Sequence, residues 1–143
     1  MTAASQILNS KPDKTIYTTT PAASVFDAVK LMAEKGIGAL IVVDRAKTVG
    51  MLSERDYARK VILVGRSSKE TKIREIMTTQ VISADPHQSV QECMTIMTEK
   101  RIRHLPVMED DQLIGMISIG DLVKAIIAEQ QFVISQLEHY ISG

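Results

Sequence analysis

The chain has few of the features that mark proteins binding nucleic acids or acidic surfaces. Its aromatic residues are three tyrosines and two phenylalanines, with no tryptophan, so a surface for stacking bases is not expected. Seventeen basic residues balance seventeen acidic ones, which argues against a general attraction to nucleic acid or to acidic membranes. We therefore expect neither nucleic acid nor membrane as a partner.

The chain also has little that indicates secretion or membrane insertion. Its single cysteine, Cys93, cannot form an internal disulfide and fits a reducing compartment. Residues 1–6 have neither the charged region nor the apolar run of a secretory signal. The longest apolar run, residues 37–43, is far shorter than the roughly 20 residues that span a bilayer. These features predict a soluble, cytoplasmic protein.

What the chain does contain is an internal repeat. Each copy has a glycine, then a serine three residues later, then an aspartate three residues after that: Gly50, Ser53 and Asp56, and again Gly115, Ser118 and Asp121. The spacing is 115 − 50 = 65 residues, and it holds without a gap from residue 16 to residue 125. One structural unit is therefore written twice.

Each copy predicts the order β-α-β-β-α. A proline turn precedes a serine-capped helix over 25–35 or 90–100, and glycines end the first of these helices. Apolar strands over 39–43 and 105–108 then pair with return strands over 48–53 and 113–118. A regular helix is expected from 54 to about 64, an extended segment over 81–84, and a short helix over 3–9. The predicted fold class is α+β, with the tandem repeats packed as one pseudo-two-fold module.

The expected organisation is a first unit over 7–64, a linker over 65–72, a second unit over 73–128 and a helical extension over 129–143. The last helix carries an apolar stripe that continues toward the C-terminus: Leu122, Ile126, Val133, Leu137 and Ile141. One interpretation is an ordinary helix packed on its own core. The other is a surface for a second subunit or another partner.

These features together resemble the cystathionine-β-synthase (CBS) domain pair, or Bateman module. The resemblance extends from about residue 7 to residue 128. It rests on the repeated glycine-serine-aspartate segments, on the segments that lead into and form the apolar strands, over 37–43 and 102–107, and on the turns at Pro21 and Pro86. It implies a stand-alone regulatory pair that is not an enzyme. It also implies a homodimer, and adenosine nucleotides bound in clefts between the two units.

The repeated segments suit a nucleotide chemically. Ser53 and Ser118 lie at expected helix starts, where backbone N–H groups favour an anion, and Arg55 adds donors suited to phosphate. Asp56 and Asp121 accept hydrogen bonds only, which suits the 2′- and 3′-hydroxyls of a ribose.

The base would then lie between strands. The predicted adenine pocket comprises Ile16, Thr18, Gly38, Ala39, Val81, Leu105 and Pro106. The two sites are not equal, because Gly120 replaces Arg55 in the second copy. We predict that Arg103 and His104 supply the missing positive charge at the second phosphate position.

A simpler interpretation is that both serine-aspartate pairs are helix caps that need no ligand. Cys93 falls on an apolar helix face and is expected to be a core residue. The histidines have no metal-ligand spacing, so no metal site is predicted.

The sequence therefore predicts a regulatory module for energy or redox sensing that binds AMP, with ADP, ATP, NAD(H) or S-adenosylmethionine as alternatives. NADP is disfavoured, since its 2′-phosphate would face a carboxylate. An unidentified regulated protein is a further possible partner. The alternative is a structural dimerisation or partner-binding protein that has no nucleotide ligand.

Overall fold

The computed structural model describes residues 2–142, and Met1 and Gly143 lie outside the described residues. The chain forms two compact units. The first unit is residues 16–82, and the second unit combines the residues up to 15 with those from 83 onward. The mixed α and β composition agrees with the predicted α+β class.

The first unit is built on a three-stranded sheet. Strand β1 (Thr18–Thr19) lies parallel to β2 (Ala39–Asp44), which is antiparallel to β3 (Lys47–Ser53). Helix α2 (Val25–Lys35) and the short α3 (Glu54–Tyr57) complete the repeat. One hydrophobic core joins these elements: Val25, Ala28, Met32, Leu40, Val42, Leu52, Val61, Ile73 and Ile76.

Helix α2 has the ends that the sequence predicts. The Ser24 hydroxyl accepts a hydrogen bond from the backbone N–H of Asp27 at 3.1 Å, which satisfies a donor of the first turn. The helix ends at Gly36, whose φ of 64° is the left-handed conformation that glycine adopts without a steric penalty.

The second unit has the same plan around a two-stranded sheet. Helix α4 (Val90–Lys100) leads to β4 (His104–Glu109), which pairs antiparallel with β5 (Gln112–Ser118). Helix α1 (Ala4–Ser10) and the long helix α5 (Ile119–Ser142) also belong to this unit. The end of α4 differs from that of α2, because Arg101 holds the left-handed position with a φ of 55°.

Each unit is completed by a segment that precedes the other repeat in sequence, and we call these two segments the crossing segments. In the first unit the crossing segment is residues 73–78, which include a 3₁₀ turn (Ile73–Glu75). In the second unit it is residues 2–11, which include α1. The compact units therefore do not follow the sequential ranges 7–64 and 73–128 that the repeat suggests.

The repeated glycines explain how the crossing segments fit. A Cβ atom on Gly50 would meet the Met77 sulfur at 2.8 Å, and one on Gly115 would meet a Leu8 methyl carbon at 2.5 Å. In both strands, glycine leaves room for a side chain of the crossing segment. At Gly50 a backbone atom, the Thr78 carbonyl oxygen, also lies within 2.9 Å of the Cβ position.

Two predicted elements differ in detail from the structure. The helix expected from 54 to about 64 is α-helical only to Tyr57 and continues as a π-helical turn over Ala58–Ile62. The segment over 81–84 forms no strand; Ala84 makes an isolated parallel bridge to Val107. A π turn cannot be read from side-chain spacing over so few residues, since it shifts the helical register by a single position.

Helix α5 changes character along its length. Leu122 in its first turn is fully buried, whereas every residue from 130 to 142 is exposed. The exposed part includes large apolar side chains: Phe132, Val133, Ile134, Leu137, Tyr140 and Ile141. Among residues 2–142, no helix has the length and apolarity that a membrane crossing requires.

Candidate functional site

The first candidate site lies where β3 passes into α3. The strand register sets Ala39 opposite Ser53, and the backbone N–H of Glu54 donates to the carbonyl oxygen of Gly38 at 3.0 Å. Thr18 of β1 pairs with Ile41, two residues farther along β2. The fold thus brings Gly38, Ala39 and Ser53 together at one end of the sheet, with Thr18 on the neighbouring strand.

The Asp56 carboxylate closes the start of α3. The backbone N–H of Ser53 donates to Asp56 Oδ2 at 2.9 Å, and the backbone N–H of Asp56 donates to Ser53 Oγ at 3.2 Å. Lys60, one turn farther along, forms an ion pair with Asp56 Oδ1 at 3.2 Å and donates to the carbonyl oxygen of Ile76 at 2.9 Å. The carboxylate is thus held by a serine and a lysine.

The second candidate site repeats the cap at the start of α5. The backbone N–H of Ser118 donates to Asp121 Oδ2 at 2.8 Å, and that of Asp121 donates to Ser118 Oγ at 3.1 Å. His104 lies opposite Ser118 in the sheet, and Ile119 donates its N–H to the carbonyl oxygen of Arg103 at 2.9 Å.

A lysine from a distant part of the sequence also reaches the second site. Lys11 Nζ lies 3.0 Å from Asp121 Oδ2 and donates to the carbonyl oxygen of Met116 at 2.8 Å. Burial raises the pKa of Asp121, but the hydrogen bond from the Ser118 backbone and the contacts with Lys11 outweigh it and lower the pKa below the ordinary value of 3.8. Asp121 is therefore a carboxylate at neutral pH and remains an acceptor.

The predicted site residues fall into two groups, one in each compact unit. The first unit holds Ile16, Thr18, Gly38, Ala39, Ser53, Arg55, Asp56 and Val81. The second unit holds Arg103, His104, Leu105, Pro106, Ser118 and Asp121. Val81 falls within the predicted second unit, 73–128, but belongs to the compact unit of the first repeat. Arg55 and Arg103 are exposed, whereas Leu105 and Pro106 are buried.

Sequence reasoning missed the two lysines that contact the aspartates. Lys60 had a usable signal, because it stands four residues after Asp56 and opposite charges at this spacing meet on a helix. Lys11 had no local signal, since it precedes Asp121 by 110 residues. The one indication was that the repeat breaks down around residue 11.

Little other site chemistry is found in the described part of the chain. Residues 2–142 contain no group of three or more histidine, cysteine, aspartate and glutamate side chains that could hold a metal ion. Cys93 is fully buried on α4, and burial, together with the nearby Glu92 charge, raises the pKa of its thiol. Both features suit a packing role for this cysteine.

The family model for the CBS domain matches this chain twice, over residues 4–63 and 73–128. The chain belongs to the CBS domain family. The two matches cover both repeats, so the predicted CBS pair is confirmed.

Similar proteins of known sequence or structure have the same architecture. A CBS-domain protein from Burkholderia ambifaria MC40-6 is 60% identical, with a TM-score of 0.87 and coverage of 90% of this chain and 96% of that one. The mitochondrial CBS domain-containing protein CBSX3 of Arabidopsis thaliana is 45% identical over 84% of this chain and 61% of its own. This chain thus spans about three fifths of the Arabidopsis protein.

The structure of another CBS domain pair has been solved with ligands. The CBS domain pair of protein MJ0100, in complex with 5′-methylthioadenosine and S-adenosyl-L-methionine, is 27% identical, with a TM-score of 0.77 and coverage of 90% of this chain and 98% of that one. Both of those ligands contain an adenosine group with an unmodified ribose.

Proposed function

We propose that this CBS pair is a regulatory module that binds an adenine nucleotide, with Asp56 and Asp121 accepting the ribose hydroxyls. The observation that carries the proposal is that both carboxylates are fixed by a serine backbone N–H at the junction of a strand and a helix. The adenosine-containing ligands of the MJ0100 pair support it, because they offer the same ribose diol.

The helix caps are compatible with ligand binding. An ionised carboxylate has about four acceptor positions on its two oxygens. Serine and lysine contacts occupy part of this capacity on each aspartate, so a ribose diol uses the remaining positions and competes with the lysine. The cap fixes the direction of the carboxylate before a ligand arrives, which reduces the entropy lost on binding.

The remaining predicted residues give the ligand its orientation. Ser53 and Arg55 in the first unit, and Ser118, Arg103 and His104 in the second, are proposed to face phosphate. The residues proposed to contact adenine are Ile16, Thr18, Gly38, Ala39 and Val81 in the first unit, and Leu105 and Pro106 in the second unit. AMP is the favoured ligand, with ADP, ATP, NAD(H) and S-adenosylmethionine as alternatives and NADP disfavoured.

The proposed role is regulation rather than catalysis. A bound nucleotide changes the balance between two arrangements of the protein by its difference in affinity for them. We further propose that the chain is a homodimer and that the exposed apolar part of α5 contributes to its interface, with an unidentified regulated protein as a further partner. An exposed apolar helix face of this kind is typical of subunit contacts.

The test is thermal unfolding of the ligand-stripped protein with AMP, ADP, ATP, NAD, NADP, S-adenosylmethionine and 2′-deoxy-AMP. A ligand at about 100 times its Kd stabilises a protein by roughly 2.7 kcal/mol, which gives a clear shift of the melting temperature. We expect AMP to give the shift and 2′-deoxy-AMP to give a much smaller one. Asp56→Asn and Asp121→Asn should each reduce it, whereas Asp44→Asn, at an exposed strand end, should not.

A second candidate function is structural dimerisation without a ligand. Two observations favour it: both aspartates already have serine and lysine partners, and α5 exposes a long apolar surface. No melting shift with any of the nucleotides, together with loss of self-association on truncation after residue 128, would support this function instead.

A further inference from the structure

A lysine side chain contacts each proposed ribose carboxylate and also donates to a backbone carbonyl oxygen, and we call this lysine the clasp. In the first unit the clasp lies on the helix: Lys60 contacts Asp56 and reaches the Ile76 carbonyl oxygen of the crossing segment. In the second unit the clasp lies on the crossing segment itself: Lys11 contacts Asp121 and the Met116 carbonyl oxygen of β5.

The repeat shows that one clasp replaces the other. Lys60 corresponds to position 60 + 65 = 125, which is Ala125, so the second helix lacks the lysine that the first one has. Lys11 belongs to the segment 11–14, where the repeat breaks down, and it provides the cation that Ala125 cannot provide. A lysine thus contacts both carboxylates, from the helix in the first unit and from the crossing segment in the second unit.

The two clasps differ in how far their lysine side chains are exposed to water. Their carboxylates have similar exposure, but the Lys11 side chain is 26% exposed whereas that of Lys60 is 45% exposed. An ion pair with less access to water is less screened, so the Lys11 clasp is the stronger of the two. Lys11 also stands in the last part of the second unit before the chain passes into the first unit at residue 16.

We propose that Lys11 is a ligand-responsive clasp: a ribose diol that binds Asp121 displaces Lys11 and thereby loosens helix α1 on the second unit. The inference rests on the proposed function. Its physical basis is competition, since Lys11 Nζ occupies Asp121 Oδ2, the same oxygen that the Ser118 N–H holds in place. A ribose hydroxyl that donates to this carboxylate reduces the attraction that keeps Lys11 there.

Helix α1 is a suitable reporter of this displacement. It is held to the second unit by backbone hydrogen bonds from Ala4 to Gln88 at 2.8 Å and from Ser5 to Pro86 at 2.9 Å, and by the clasp just beyond its end. Local opening of such a short element costs less free energy than global unfolding. Hydrogen exchange of its amides should therefore rise when the clasp opens.

The experiment uses the full chain in an Asp56→Asn background, so that only the second site retains its ribose carboxylate. Adenosine is the probe for affinity because it has no phosphate. The Lys11 charge therefore cannot attract a ligand phosphate directly, and its effect on affinity comes mainly through Asp121. Lys11→Met removes the clasp, and Lys14→Met, at an exposed lysine three residues farther along, is the matched control. Calorimetry gives the adenosine affinity, and hydrogen exchange reports on residues 4–10 with and without adenosine.

We expect adenosine to raise the exchange of residues 4–10 in the parent protein. Lys11→Met should show that raised exchange without ligand and bind adenosine about two- to fivefold more tightly, the range given by an ion pair of moderate exposure. Lys14→Met should behave like the parent in both measurements.

The outcomes separate this inference from the function on which it rests. Adenosine binding with no change in the exchange of residues 4–10, or weaker adenosine binding by Lys11→Met, would overturn the clasp and leave nucleotide binding intact. Absence of binding in the Asp56→Asn protein but not in the unmodified protein would overturn it as well. Absence of both adenosine and AMP binding by both proteins would overturn the proposed function together with it.

Discussion

A Cβ atom on Gly50 would lie 2.9 Å from the carbonyl oxygen of Thr78. That oxygen is fixed, because it accepts a hydrogen bond from the Met51 N–H at 2.9 Å. The crossing segment of the first unit therefore rests on a strand position that has no room for a side chain.

Gly50→Ala should destabilise the protein by about 1–3 kcal/mol, the usual cost of forcing an extra methyl group into a packed site. Chemical denaturation measures the loss. Gly120→Ala is the control, since a Cβ there would meet only the Ser118 hydroxyl at an ordinary 3.6 Å. An equal effect of both substitutions would contradict the explanation.

The Asp121 carboxylate should make stability depend on acid pH. Its pKa is lowered in the folded protein, so its contribution is fully present above the ordinary pKa of 3.8 and is lost as the pH falls through the lower folded value. Unfolding free energies measured between about pH 2 and pH 7 should therefore fall more steeply for the unmodified protein than for Asp121→Asn. Parallel curves for the two proteins would rule out this contribution.

Arg101 and Gly36 occupy corresponding positions, since 36 + 65 = 101, and both are left-handed. An L-residue with a side chain pays about 1–2 kcal/mol for this conformation, which glycine does not pay. Arg101→Gly should therefore stabilise the protein by about 1 kcal/mol, whereas Gly36→Ala, with open space around its Cβ, should destabilise it by a similar amount. Changes of the same sign in the two variants would contradict the backbone explanation.

The exposed part of α5 should decide the oligomeric state if the proposed homodimer forms through it. Ile134→Glu places a charge in the apolar face, and an unpaired buried charge strongly opposes association. Light scattering after size exclusion should show dimers for the unmodified protein and monomers for the variant. Ser135→Glu, one position around the helix, is the matched control and should remain dimeric; an unchanged mass for Ile134→Glu would exclude this surface.

Most of the regular structure could be predicted because local signals agreed with the fold. Helices α2 and α4 have the predicted bounds, since each begins at a serine cap and carries apolar residues at helical spacing. The strand pairs were predicted to within about a residue at each end, because apolar runs were separated by short polar turns. The repeat supported each prediction twice.

What could not be predicted depends on contacts between distant parts of the chain. The packing of Leu8 over Gly115 and the ion pair of Lys11 with Asp121 join residues more than 100 positions apart. A helix cap, by contrast, lies within four residues, so Ser53 with Asp56 was visible in the sequence. The location of the candidate site could therefore be predicted from the cap in the sequence. The lysine that contacts Asp121 became visible only in the folded structure.

The positions of the crossing segments in the sequence also affect the order in which the two units fold. The first unit is one continuous stretch, residues 16–82, so all of its contacts are available once that stretch has been synthesised. Helix α1 is made before the first unit, but its partners begin at residue 83. Contacts with such long sequence separation form late because of the entropy of closing the loop between them. Helix α1 must therefore wait for the second repeat. Its apolar face, which includes Ala4 and Ile7, stays exposed until then and is a natural point of contact for chaperones during synthesis.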